Sequence, residues 1–227
     1  MAGKLARDDL RRLLPEHGAL FSAQLGIRLD RLGRDELFRW FLASLLFGAR
    51  IAESVAARTY RIFVQHRLTT PEAIARADLV ELLEIMAEGG YVRYDGITSR
   101  KVEEASAKLI AEYAGDLNNL HAAAKDPRDL EARLQAFRGV GPTTAGIFLR
   151  ELRGLWPKAD PPLGSLARLA ADHLGIADPR AFWRSHAVPG YDFRHFEAAL
   201  TRIGKDFCRR RRCPDPSGPL PHAPPSP

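Results

Sequence analysis

Residues 137–149 read Phe137-Arg138-Gly139-Val140-Gly141-Pro142-Thr143-Thr144-Ala145-Gly146-Ile147-Phe148-Leu149. A helical pattern ends at the first of these residues, a turn with two glycines follows, and a second helical pattern begins at once. Glycine permits positive φ and lets two backbones approach closely. The first N–H groups of the second helix have no partner within that helix and carry partial positive charge. The turn is therefore predicted to bind a phosphate group without regard to base sequence.

The composition is that of a globular protein with a basic balance. The chain has 227 residues, 45% of them hydrophobic and 27% charged, and its formal net charge is +6. This length allows a sizeable core in one domain or two small lobes, and the positive charge favours a polyanionic partner. No apolar run approaches the roughly 20 residues that cross a bilayer, and residues 1–20 lack the apolar core of a secretory signal. We therefore expect no membrane association and a cytoplasmic location, nucleoid-associated if the source is bacterial.

Helical periodicity dominates the chain, and no convincing alternation of period two predicts a strand. The pattern predicts an all-α fold. Thr70 and Asp78 are each followed by a helical pattern, and Thr70 is an expected N-cap because proline follows it. The other predicted helices cover residues 35–47, 51–65, 99–113, 127–137, 142–152, 164–174, 179–186 and 191–210.

The hairpin resembles the helix-hairpin-helix of the DNA glycosylase superfamily that includes endonuclease III, adenine glycosylase and 3-methyladenine glycosylase II. Residues 42–53, Leu-Ala-Ser-Leu-Leu-Phe-Gly-Ala-Arg-Ile-Ala-Glu, resemble the buried helix and DNA-facing turn near the start of these enzymes. Gly89-Gly90-Tyr91 and residues 99–103 resemble the loop and the lysine-bearing helix that precede the hairpin. The resemblance covers residues 34–213, in the same order and with similar spacing.

The resemblance implies a two-lobed arrangement. A six-helix middle lobe that carries the hairpin is expected over residues 34–155, and a second helical lobe is expected from residues 1–33 together with 156–213. Residues 214–227 contain seven prolines. Such a composition does not pack as helix and predicts a disordered tail.

The activity that the resemblance implies is DNA base excision repair. A monomeric DNA N-glycosylase would act on damaged double-stranded DNA and hydrolyse the bond between sugar and base, using an aspartate that follows the hairpin. Asp160 is the only acid between Glu151 and Asp172 and is the candidate. If the pattern is matched instead from Arg168, the aspartate position falls on Leu163, and Asp160 only caps a helix that starts with two prolines. Both registers remain open at this stage.

Family members that also cut the backbone carry a lysine two residues after the last hairpin glycine, where this chain has Thr143. Because threonine cannot form an imine, the resemblance implies a monofunctional glycosylase. Two alternatives remain: a lyase that uses Lys158, outside the hairpin, and a DNA-binding member of the fold without chemistry. Cys208 and Cys213 are the only cysteines, too few for a four-thiolate iron–sulfur cluster, and the histidines show no metal-binding spacing. We expect no cofactor and no metal.

The candidate DNA contacts fall into two groups. Backbone groups of the hairpin are expected to bind phosphate, helped by the side chains of Arg100, Lys101 and Arg138. In the second group, Tyr91 or Val92 is a candidate wedge for the gap left by a flipped nucleotide, and Arg50 is a candidate for the side of the orphaned base. The hairpin residues concerned are Gly139, Val140, Gly141, Thr143 and Thr144.

Overall fold

A computed structural model describes residues 7–91 and 95–210 of the chain. This part is helical and contains no strand, which confirms the predicted all-α class. The helices are α1 (Arg7–His17), α2 (Phe21–Gln24), α3 (Arg34–Phe47), α4 (Glu53–Gln65), α5 (Pro71–Arg76), α6 (Leu79–Glu88), α7 (Asp95–Tyr113), α8 (Leu117–Ala123), α9 (Pro127–Gln135), α10 (Pro142–Arg150), α11 (Ser165–His173), α12 (Pro179–His186) and α13 (Phe193–Asp206).

Several helix starts follow from capping residues in the sequence. The Thr70 hydroxyl accepts a hydrogen bond from the Ala73 N–H at 3.1 Å, with proline at the first position of α5. Asp78 Oδ1 accepts from the Glu81 N–H at 2.8 Å at the start of α6. These side chains satisfy N–H groups that have no partner within the helix, so the predicted N-cap is confirmed.

The chain divides into two compact units, 1–24 with 162–227 and 25–161. The second of these, the middle unit, holds α3 to α10, of which six have nine residues or more and α5 and α8 are short. Its core is built on α3. The Trp40 indole N–H donates to the Phe148 carbonyl at 3.0 Å, and the Phe41 ring meets Phe137 and Phe148 edge to face. These contacts fix α10 and the turn that precedes it against α3.

The terminal unit is described over residues 7–24 and 162–210, and α11 and α13 pack together in its core with α1. Buried Arg202 joins the two chain segments of this unit. Its Nη1 donates to the His17 carbonyl at 2.6 Å and its Nη2 to Gln24 Oε1 at 2.9 Å, while the guanidinium lies 4.0 Å from the centre of the Phe21 ring. A buried cation is thus satisfied by oxygens and by an aromatic face.

The boundaries of the units differ from the predicted positions at 34 and 155. Residues 25–33 belong to the middle unit because the Asn118 amide donates to the Leu32 carbonyl at 3.0 Å and Glu36 accepts from the Arg28 N–H at 2.8 Å. Residues 156–161 belong to it as well, since Arg153 holds the Pro161 carbonyl. The predicted tail, 214–227, and Cys213 lie outside the described residues.

Within the described ranges, no helix is both long enough and apolar enough to span a lipid bilayer.

Candidate nucleic-acid interface

The hairpin consists of α9, a turn over residues 136–141, and α10. Gly139 has φ +87°, a left-handed conformation that a residue with a β-carbon adopts only at a cost. Gly141 is the N-cap of α10 and Pro142 is its first residue. The Ala145 N–H donates to the Gly141 carbonyl at 3.0 Å and so begins the hydrogen-bonded ladder of the helix. The N–H of Thr143 precedes this ladder, on an exposed residue, where helix geometry leaves such a donor without a backbone partner.

Two of the predicted hairpin contacts have packing roles. Val140 is 4% exposed, and its N–H donates to the Phe137 carbonyl at 3.0 Å. The only backbone donor of Val140 closes the turn, and its expected phosphate contact stays a prediction. The Thr144 side chain is also buried, against Gly48 at the end of α3. The other three predicted hairpin contacts, Gly139, Gly141 and Thr143, are exposed.

Three segments that are distant in sequence meet at the C-terminal end of α3. Thr144 of the hairpin packs on Gly48, and the Tyr91 hydroxyl donates to the Leu46 carbonyl at 3.2 Å. The stem of Lys101 lies so close to Gly139 that a β-carbon there would overlap it. A small pocket of about 30 Å³, enough for a water molecule, marks this junction. Its lining consists of Leu45, Gly48, Ala49, Thr98, Lys101 and Gly139.

The cations of this junction differ in their partners. Arg138 forms an ion pair with Glu104, so its charge is neutralised within the middle unit. Arg50 and Arg100 are exposed and Lys101 is partly exposed, and no carboxylate of the described residues forms an ion pair with them. Arg50, Arg100 and Lys101 therefore supply net positive charge, and their expected DNA contacts stay predictions.

Tyr91 is part of the core. Its side chain is 1% exposed and its hydroxyl is hydrogen-bonded inside the middle unit. A wedge must project from the surface to enter a base stack, so this burial conflicts with the expected wedge role of Tyr91. The alternative wedge, Val92, lies outside the described residues. Tyr91 instead anchors the loop after α6 to the end of α3.

The candidate catalytic residue, Asp160, lies beyond the hairpin in an irregular segment. Its side chain is 48% exposed, and Oδ1 is 2.5 Å from Nη1 of Arg153, whose own side chain is only 7% exposed. The same guanidinium donates from Nη2 to the Pro161 carbonyl. Arg153 therefore fixes both the Asp160 carboxylate and the backbone that follows it. Sequence reasoning did not identify Arg153, since no pattern joins it to Asp160.

The start of α11 shows that Asp160 does not have the alternative role of a cap for this helix. This helix begins at Ser165, its N-cap is Gly164, and no side chain caps it. Pro161 and Pro162 precede the helix, so the prediction that Asp160 caps a helix with two prolines in its first turn is wrong. Leu163 lies next to the N-cap and lines a pocket of about 290 Å³ in the terminal unit, together with Pro162, Arg168, Ala177, Asp178, Pro179 and Arg180.

Lys158 closes the end of α8. Its Nζ donates to the carbonyls of His121 at 2.7 Å and Ala124 at 2.5 Å, which leaves the ammonium group engaged where the helix carries partial negative charge. Buried Trp156 stacks on the His121 ring at 4.6 Å, with 12° between the planes. Burial lowers the pKa of His121, and the nearby Lys158 charge lowers it further.

Comparison with known proteins supports the fold assignment. No sequence-family profile and no curated protein matches this chain. A solved structure of an endonuclease III–DNA covalent intermediate, an estranged-adenine complex, matches with a TM-score of 0.53 and 20% identity over 95% of this chain and 94% of that one. A non-covalent endonuclease III–DNA complex matches with a TM-score of 0.51 and 19% identity, covering 95% and 93%. The chain has the two-lobed helix-hairpin-helix DNA glycosylase fold, as the hairpin predicted.

Proposed function

We propose that this chain is a DNA glycosylase of base excision repair that removes a damaged base from duplex DNA by hydrolysis. The observation that carries the proposal is the hairpin, in which Gly139 at φ +87° sets an exposed helix start beside the stem of Lys101. The fold that places this hairpin is shared with endonuclease III structures that contain DNA.

The grip on DNA is electrostatic and independent of sequence. The N–H groups at the start of α10 and its helix dipole favour one backbone phosphate, and Arg50, Arg100 and Lys101 add positive charge. Contacts of this kind release counterions, so the logarithm of affinity falls with the logarithm of salt concentration by about 0.9 for each phosphate neutralised.

Asp160 is the proposed catalytic carboxylate. As the bond between C1′ and the base nitrogen breaks, its electron pair leaves with the base, and the sugar gains positive charge that a carboxylate stabilises. Water then adds to C1′ and gives up a proton, for which the carboxylate is the acceptor. No imine enters this scheme, because Thr143 stands in the hairpin and the Lys158 ammonium is held by the end of α8.

A second candidate function is DNA binding without chemistry. The ion pair between Arg153 and Asp160 favours it, because a guanidinium at 2.5 Å offsets the field of the carboxylate at a developing cation. The start of α11 favours it as well, since Gly164 supplies no capping carboxylate. The two candidates agree on DNA binding and differ only in base release.

The proposed phosphate contact of the hairpin is tested by placing a negative charge there. Thr143→Glu adds a carboxylate at the exposed second residue of α10, where an acid stabilises a helix by about 0.3–1 kcal/mol but repels a phosphate. Val80→Glu is the matched control, since Val80 is the exposed second residue of α6 in the same unit. Fluorescence anisotropy with a labelled duplex that contains an abasic-site analogue measures affinity as salt is varied.

We expect Thr143→Glu to weaken DNA binding by about tenfold or more, a loss of at least 1.4 kcal/mol, while its melting temperature stays equal or rises. Val80→Glu should bind as the wild type does. Equal affinities for the two variants, or wild-type binding that does not respond to salt, would contradict the proposed grip.

A further inference from the structure

Arg58 is an exposed side chain of α4 that is held in one place. Its Nε donates to the Gly89 carbonyl at 2.7 Å, in the loop that follows α6. An exposed arginine ordinarily samples many rotamers, and ordering it costs side-chain entropy. The hydrogen bond fixes the fork of the guanidinium against this loop.

The loop after α6 has space for the Arg58 guanidinium because it contains two glycines. Gly90 has φ +82°, and a β-carbon at this position would overlap Arg58 Nη2. A β-carbon on Gly89 would overlap Thr59, the neighbour of Arg58 on α4. Two consecutive glycines therefore let the loop lie flat on α4, with the arginine packed on the second of them.

The fixed partner of the Arg58 guanidinium is an uncharged group. Some arginines of the middle unit pair with carboxylates, as Arg34 does with Glu72 and Arg138 with Glu104. The fixed partner of Arg58 is a backbone carbonyl, and among the described residues no carboxylate forms an ion pair with it. A positioned guanidinium that keeps its whole charge is suited to a bidentate contact with an anion.

The position of Arg58 connects it to the hairpin. Tyr91, the residue after Gly90, donates its hydroxyl to the Leu46 carbonyl near the end of α3. The hairpin packs on the same helix end through Thr144 and Gly48. The loop that carries the Arg58 guanidinium and the hairpin are thus both anchored to the end of α3 within the middle unit.

We propose that Arg58 binds a phosphodiester of the DNA backbone, as a contact separate from the hairpin. This inference rests on the proposed function, since it takes duplex DNA as the partner. The hydrogen bond to the Gly89 carbonyl orients the guanidinium, and Gly90 leaves space for it because it has no β-carbon.

The test compares two arginines of one helix. Arg58→Gln removes the fixed charge, and Arg61→Gln removes an equal charge from an exposed position one turn further along α4. Affinity for a labelled duplex is measured by anisotropy over a range of salt concentrations. Loss of one phosphate contact lowers the slope of log affinity against log salt by about 0.9, and we expect this change for Arg58→Gln only.

Gly90→Ala tests whether the position of the Arg58 guanidinium matters independently of its charge. The added β-carbon displaces the guanidinium but leaves the net charge unchanged, so it should weaken binding about as much as Arg58→Gln does. Because both variants act on one contact, the double variant should be no weaker than either single one, as a double-mutant cycle would reveal. Thermal melting confirms that each variant is folded.

Equal effects of Arg58→Gln and Arg61→Gln would overturn the inference, and so would additive losses for Arg58→Gln and Gly90→Ala. The proposed function fails in a different way. In that case Thr143→Glu binds DNA as tightly as Val80→Glu does, or the DNA affinity of the wild type does not change with salt concentration. Either result would also overturn the assignment of Arg58 to a DNA contact.

Discussion

The hairpin and the segment that follows it make different uses of charged side chains. In the hairpin, Gly139 and the first turn of α10 leave donors at the surface, and Arg138 pairs with Glu104 where both groups are solvated. After the hairpin, buried Arg153 holds Asp160 and the Pro161 carbonyl, and Lys158 holds the end of α8. The charged side chains that follow the hairpin therefore hold the backbone through its carbonyl groups as well as facing solvent.

The difference indicates which part of the proposed activity each region supports. Binding of a phosphate requires only exposed donors and positive charge. The hairpin supplies the donors, and Arg50, Arg100 and Lys101 supply the charge. Base hydrolysis requires a carboxylate whose field reaches the sugar, and Asp160 lies beside a guanidinium. The hairpin thus carries the DNA-binding half of the proposal, and Asp160 carries the base-release half.

The largest difference between the regions should appear when each arginine loses its charge. Arg153→Met leaves the Pro161 carbonyl without a donor in a site that is nearly dry, so we expect the free energy of unfolding to fall by about 1–3 kcal/mol. Arg138→Met breaks an exposed pair and should cost about 0–1 kcal/mol. Urea unfolding of both variants measures the contrast, and equal losses would show that Arg153 is not the support described above.

Glycines with positive φ provide a second contrast. Gly139 and Gly154 have φ of +87° and +73°, so alanine at either position should cost about 1–2 kcal/mol of stability. Only Gly139→Ala also meets the stem of Lys101 and alters the phosphate site, whereas nothing lies near a β-carbon on Gly154. DNA affinity should therefore fall for Gly139→Ala and remain unchanged for Gly154→Ala. A similar loss of affinity in both would mean that instability alone weakens binding.

Lys158→Met tests whether this lysine is a structural cation. The variant keeps the apolar stem but loses the bonds to the end of α8, so stability should fall by about 1 kcal/mol. Lys125→Met changes an exposed lysine close to the same helix end and should have little effect. Borohydride trapping on abasic DNA should yield no covalent adduct with wild type or variant. An adduct that disappears in Lys158→Met would establish the lyase alternative.

His121 should give the smallest effect. Burial and the Lys158 charge lower its pKa in the folded state, so the unfolded chain binds the proton first. Its contribution to stability is complete above the ordinary pKa of 6.5 and declines as the pH falls below that value. His121→Phe keeps the stack on Trp156 and should flatten this decline. Melting temperatures across that pH range measure it, and an unchanged profile would assign the decline to other groups.

The sequence predicted the helical class, the hairpin, the cap at Thr70 and the helix start at Asp78, because these depend on local periodicity and turn chemistry. It did not predict the burial of Tyr91 or the closed N–H of Val140. Both depend on contacts with residues that the local pattern does not specify.

The partners of the charged groups were the hardest feature to predict. Arg153 meets Asp160 across an irregular segment, and Arg58 meets Gly89 across two intervening helices, so neither pair follows from the periodicity of one helix. For Arg58, the consecutive glycines at 89 and 90 were a signal of close backbone approach, but they did not indicate which side chain approaches.

The proposed glycosylase activity is tested most directly by measuring the release of free bases by mass spectrometry. The substrate is duplex DNA that carries mixed alkylated, deaminated and oxidised bases. Wild-type protein is compared with Asp160→Asn after both are shown to be folded and to bind DNA. We expect the wild type to release a damaged base and the variant to release it at least about a hundredfold more slowly. No release from either protein, with salt-dependent binding intact, would contradict the proposed activity and leave a DNA-binding protein without chemistry.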